Sequence, residues 1–187
     1  MQQQKILYGV LALLALGVII FLIDKNRSLD VNTQDSKVGA ILLLDPNNET
    51  AKLNSLFAID IVLDTANQPI DGVDVFVLHY DPLVIQVVDD IPEQEGIQIQ
   101  AGSILSINAA NIVDQSAGTI KFSQVATGGT NFSGRGILAT IHFKAVKMGV
   151  SNLKFDFKPG STTDTNVAYQ GQDQLIQVEN AVYSIEP

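Results

Sequence analysis

Residues 71–82 read DGVDVFVLHYDP, and this stretch decides the fold. Its β-branched and aromatic residues suit a pleated, half-buried surface. Pro82 lacks an N–H and fixes its own φ, so the strand ends there in a turn. Side chains of a strand alternate between its two faces. Regular alternation sends Phe76, Leu78 and Tyr80 to the core and leaves Val73, Val75, Val77 and His79 on the outer face.

The same period of two recurs on either side. In LFAIDIVLD (56–64), Phe57, Ile59, Ile61 and Leu63 share a face opposite Ala58, Asp60, Val62 and Asp64. In GILATIHFKA (136–145), Ile137, Ala139, Ile141, Phe143 and Ala145 face inward, and in NLKFDF (152–157) so do Leu153, Phe155 and Phe157. Further strands are expected at 40–44, 84–88, 97–100, 104–108, 119–125, 175–178 and 181–185, with Gly, Pro, Asn and Asp between them. No stretch after residue 37 has a capped apolar stripe of period 3.6. The expectation is therefore all-β, nine to eleven short strands in two antiparallel sheets packed face to face.

Upstream, residues 6–23 (ILYGVLALLALGVIIFLI) hold no charged or strongly polar residue. As a helix they would span roughly 27 Å, enough to cross a bilayer core. The reading is a transmembrane signal-anchor helix over 1–23, a polar stalk over 24–37 (DKNRSLDVNTQDSK) and a β-domain over 38–187. Two alternatives stand beside it. One is a cleaved signal, for which Ala15-Leu16-Gly17 is the nearest site; the other is a pilin-type export helix, which typically has an acidic residue near its start that is missing here. Lys5 and the amino terminus balance Lys25 and Arg27, so charge alone sets no orientation.

The net charge of −9 has no basic patch to offset it, which argues against nucleic acid as a partner. Cysteine is absent, so disulfides, thiolate metal sites and cysteine nucleophiles are excluded.

The run 71–82, then residues 136–144 (GILATIHFK) and 180–185 (NAVYSI), follow the order found in cohesin domains, and the sequence resembles that family. Residues 42–48 (LLLDPNN) and 57–64 are similar to its first two strands, so the likeness covers about residues 38–186; Tyr80-Asp81-Pro82 is its sharpest marker. The resemblance implies an antiparallel jelly-roll sandwich of about nine strands, related to bacterial carbohydrate-binding modules and exported from the cell. It also implies a docking role towards a dockerin module on another protein. One departure stands out: dockerin-binding members tend to carry Asn and Asp at the outward positions matching Val73 and Val75.

Little in the sequence points to catalysis. His79 and His142 have no partner at ligand spacing, and the aspartates 64, 71, 74, 89 and 90 read as turn residues rather than a calcium loop. Gly128-Gly129 and Gly134-Arg135-Gly136 open no helix, so they form no phosphate loop. For glycans there is no Trp, and only Tyr169 and Tyr183 remain as platform candidates. Residues 160–174 read as a mobile connection.

The expected function is a non-enzymatic, membrane-tethered protein-binding module with no cofactor and no metal. Its N-terminus would be cytoplasmic and its β-domain at the cell surface. Its partner face would comprise Val73, Val75, Val77 and His79. A self-assembling subunit of a surface filament or layer, and a carbohydrate-binding module, are the alternatives.

Overall fold

The structure, a computed structural model, describes residues 38–187; the expected helix over 1–23 and the stalk over 24–37 lie outside the described residues. Alternating apolar runs between turn residues give fourteen strands and, among the described residues, no helix. They are β1 (Ala40–Asp45), β2 (Asn48–Lys52), β3 (Leu56–Asp64), β4 (Gly72–His79), β5 (Ile85–Val87), β6 (Gln100–Ala101) and β7 (Ile107–Asp114). There follow β8 (Thr119–Val125), β9 (Arg135–Ala145), β10 (Gly149–Phe155), β11 (Asn166–Tyr169), β12 (Gln172–Asp173), β13 (Leu175–Glu179) and β14 (Ala181–Glu186). The expected strand at 104–108 instead starts at Ile107 and runs on to Asp114. The expected mobile connection at 160–174 contains β11 and β12, a short hairpin paired to β4.

Two sheets face each other. The first has the order β13-β1-β3-β9-β5, with β6 also on β9; the second is β2-β14-β10-β4-β8-β7, with the β11–β12 hairpin also on β4. Both chain-terminal regions cross between the sheets. β1 continues through Pro46 into β2, and β13 continues through Asn180 into β14, so β1–β13 and β2–β14 pair in parallel while the other ladders are antiparallel. Each crossing is held by a hydrogen bond: Tyr183 Oη donates to the Pro46 carbonyl (2.7 Å), and the Phe155 N–H donates to Asn180 Oδ1 (2.9 Å).

Between the sheets, Phe57 stacks on Phe143 and on Tyr183 with ring centroids 5.7 and 5.1 Å apart, and Tyr80 meets Phe143 edge-on at 5.4 Å. Leu42, Leu44, Ile59, Ile61, Leu78 and Phe122 are fully enclosed around them.

Two β-bulges set which residues reach this core. On β4, Val75 pairs with Phe122 but Leu78 pairs with Ile120, so three steps on β4 match two on β8. The extra residue reverses the alternation. Val73 and Val75 therefore point inward ahead of the bulge, at 2% and 0% exposure, while Leu78 and Tyr80 point inward beyond it. This corrects the expected face: Val73 and Val75 are core residues, and Phe76, assigned to the core, is 40% exposed. A similar bulge on β9 falls between the pairs Val62–Ile137 and Ile61–Ala139; Leu138 is buried and Ile137, expected inside, is exposed.

The Tyr80-Asp81-Pro82 marker works as a joint between the sheets. Asp81 accepts from the Leu83 N–H through Oδ1 (2.9 Å) and from the Val84 and Ile85 N–H groups through its carbonyl. Its own N–H donates to Ser151 Oγ on β10. The Tyr80 N–H donates to the Gly118 carbonyl, and a Cβ on Gly118 would lie 2.3 Å from the Tyr80 carbonyl oxygen. With φ at +65° as well, that position requires glycine.

Candidate functional site

The outer face of the second sheet gathers exposed apolar and charged groups on adjacent strands. On β8, regular alternation buries Ile120 and Phe122 and turns Lys121 and Ser123 outward. Asp74, Phe76 and His79 of β4 share that face, and Val77 is half-buried. Register aligns them in rows. Ile112 of β7 pairs with Lys121, whose Nζ lies 5.2 Å from the centre of the Phe76 ring, a cation–π contact. Asp74 pairs with Ser123 and accepts its hydroxyl. His79 sits between Thr119 of β8 and Lys154 of β10.

The centre of this face is thus aromatic and aliphatic, with Ile112 58% exposed, and it is rimmed by Asp74, Lys121 and Lys154. Exposed apolar side chains surrounded by polar groups are the surface chemistry of protein docking. Of the four side chains expected on the face, His79 is exposed on it and Val77 lies half-buried beside it; Val73 and Val75 do not reach it. Asp74 takes the outward position instead. Phe76, Lys121 and Ile112 were not among the expected face residues. Lys121 could have been found from the alternation of 119–125, whereas the bulge that exposes Phe76 leaves no mark in the sequence.

Other candidate groups resolve as structural. His142 Nδ1 lies 2.9 and 3.0 Å from the two carboxylate oxygens of Asp90, a partner 52 residues away. Asp89 accepts the Ile91 and Gln98 N–H groups, as a turn-forming carboxylate does. Among the described residues no three His, Cys, Asp or Glu side chains come together as metal ligands. Tyr183 is fully buried, which leaves Tyr169 as the glycan-platform candidate. It lines an open, largely polar cavity of about 420 Å³ with Asp71, Thr127, Asn131 and Gln170. A single half-buried ring does not make a flat platform.

Two phenols are held protonated beyond the ordinary tyrosine range. Burial raises the pKa of Tyr80, helped by the Asp114 carboxylate, and burial raises that of Tyr183, helped by Glu49 and Asp45. Tyr80 Oη donates to Gln115 Oε1, which also accepts the Val87 N–H. At the β7–β8 turn, Asp114 is held below the usual carboxylate range by hydrogen bonds from the Ser116 hydroxyl and the Ala117 N–H.

Two mainly antiparallel sheets packed face to face, with terminal regions that cross between them, define the class as a β-sandwich module. The cohesin domain model matches residues 43–178, and the chain belongs to that family. Solved structures agree in fold. A type II cohesin domain from the cellulosome of Acetivibrio cellulolyticus is 19% identical, with a TM-score of 0.59 over 78% of this chain and 94% of that one. The seventh ScaB type I cohesin of Pseudobacteroides cellulosolvens is 16% identical, with a TM-score of 0.58 over 79% and 92%. A cohesin solved in a type I cohesin–dockerin complex from Clostridium thermocellum is 16% identical, with a TM-score of 0.59 over 79% and 99%. No curated protein sequence matches the chain.

Proposed function

We propose that this chain is a membrane-tethered, extracytoplasmic protein-binding module, without catalytic activity, that captures a partner through the outer face of the second sheet. The observation that carries the reading is the row Ile112–Lys121–Phe76, an exposed apolar centre with its own cation–π contact. Burying Phe76 and Ile112 under a partner would contribute roughly 1.5–3 kcal/mol each. The cohesin–dockerin complex among the similar structures supports a dockerin-type module as that partner. The apolar segment 6–23 supports the tether, and the cohesin-type domain behind it supports an N-terminus on the cytoplasmic side.

The test uses the full chain in non-ionic detergent, immobilised and exposed in turn to a panel of dockerin modules and to itself. The expected result is saturable binding of a dockerin-type module that Phe76→Asp weakens at least tenfold while the melting temperature stays unchanged. Equal binding by the variant would remove the face. Self-binding alone would favour a surface filament or layer instead.

A further inference from the structure

β10 and β11 pair with the same edge of β4, at Leu78–His79 and at Gly72–Asp74 respectively, so loop 156–165 fills the gap between them. Hydrogen bonds pin both ends. The Asp156 N–H donates to the Val77 carbonyl (2.8 Å), and the Thr165 N–H donates to the Asp156 carbonyl (3.0 Å). Every residue from 161 to 166 (STTDTN) carries a side-chain oxygen.

Within the loop, Asp164 is only 7% exposed, and its Oδ2 accepts the Lys158 N–H at 2.6 Å. Its Oδ1 is enclosed and has no donor, and the same holds for Oγ1 of Thr165, a residue with 0% exposure. The ion pairs among the described residues are Arg135–Asp64 and His142–Asp90, so no cationic side chain reaches this carboxylate. A buried, unpaired carboxylate costs several kcal/mol. Folding leaves Asp164 with one hydrogen bond to set against that cost.

We infer that Asp164 Oδ1 and Thr165 Oγ1 are ligands of a calcium-type cation bound in loop 156–165. The side chains of residues 161–166 offer oxygens and neither thiolate nor imidazole, which suits a hard cation better than zinc. With one carboxylate in the set, affinity falls in the weak class of extracellular modules, about 0.1–1 mM. Neutral oxygens of the loop and water would complete the shell. Because the loop backs β4 at Val77, the cation would stiffen the strand that presents Phe76. That coupling rests on the proposed docking face, whereas the cation site does not.

The test is calorimetric titration of the full chain with CaCl₂, alongside thermal melts in CaCl₂, MgCl₂ and EGTA. The expected result is saturable calcium binding that raises the melting temperature, with a smaller response to magnesium. Asp164→Asn should keep the Lys158 hydrogen bond, melt in EGTA no lower than the parent chain, and lose the calcium response. Thr165→Val should weaken calcium binding several-fold without altering the EGTA melt. Absence of a calcium response in the parent chain would overturn the inference, as would a response left intact in Asp164→Asn. Both readouts need no protein partner, so their failure leaves the docking proposal standing.

Discussion

In each sheet one long strand has an edge shared by two other strands with a loop between them. In the first sheet, β5 and β6 share the edge of β9 around residues 88–99; in the second, β10 and β11 share the edge of β4 around residues 156–165. The two loops solve the same problem in different ways. In the first, every buried charge meets a protein partner. Asp89 accepts two backbone N–H groups, Asp90 accepts His142 and the Gln100 N–H, and Asn111 bonds both the N–H and the carbonyl of Ile99. Its one orphan, Gln98 Oε1, is neutral. In the second, the orphans are a hydroxyl oxygen and a carboxylate oxygen. An unsatisfied amide oxygen costs far less than an unsatisfied charge, so the first loop is complete as protein and the second is completed from outside.

The comparison breaks most forcefully at the strands that carry the two edges. Leu78→Ala on β4 and Ile141→Ala on β9 each remove a fully enclosed side chain. Urea unfolding should show losses of about 2–5 kcal/mol for both, equal within the spread expected from cavity collapse. A much smaller loss for Leu78→Ala would mean that the second sheet tolerates a breach the first does not.

Polar truncations sharpen the contrast at the next level. Asn111→Ala strips partners from the buried Ile99 backbone and should cost about 1–3 kcal/mol. Asp90→Ala, which frees His142 and Gln100, should cost less because its site is part-exposed. Chemical denaturation in EGTA should place both losses above that of Asp164→Asn, which ought to be near zero or a gain.

The smallest effect is alkaline. Tyr80 belongs to the first edge through Gln115 and Val87, and Tyr183 to the second sheet through Pro46. Both have folded-state pKa values raised above the ordinary 10.0. Their contribution is whole below pH 10 and is lost as pH rises through the folded-state values. Absorbance at the phenolate band should therefore show Tyr80 and Tyr183 ionising above the ordinary range. Tyr80→Phe should cost about 0.5–1.5 kcal/mol at neutral pH. Early ionisation of both phenols would contradict their enclosure.

Much of the sandwich was legible because its core strands obey a simple period. The bounds of 56–64 and 119–125 follow directly from alternation and flanking turn residues, and Tyr80-Asp81-Pro82 marks a real joint between sheets. The short strands were not legible. Gln100–Ala101 and Gln172–Asp173 have no apolar pattern of their own and exist because a neighbouring edge offers them hydrogen bonds.

The sequence by itself determined an all-β domain and its cohesin-like order of strands, because hydrophobic alternation is local and survives without a partner strand. Only the tertiary structure decided which side chains of β4 look outward. A bulge is a mismatch between two strands, Val75 to Leu78 against Phe122 to Ile120, and neither strand records it alone. The pairing of His142 with Asp90 and the isolation of Asp164 are decided in the same way, since a charge is satisfied or orphaned by what folding brings beside it.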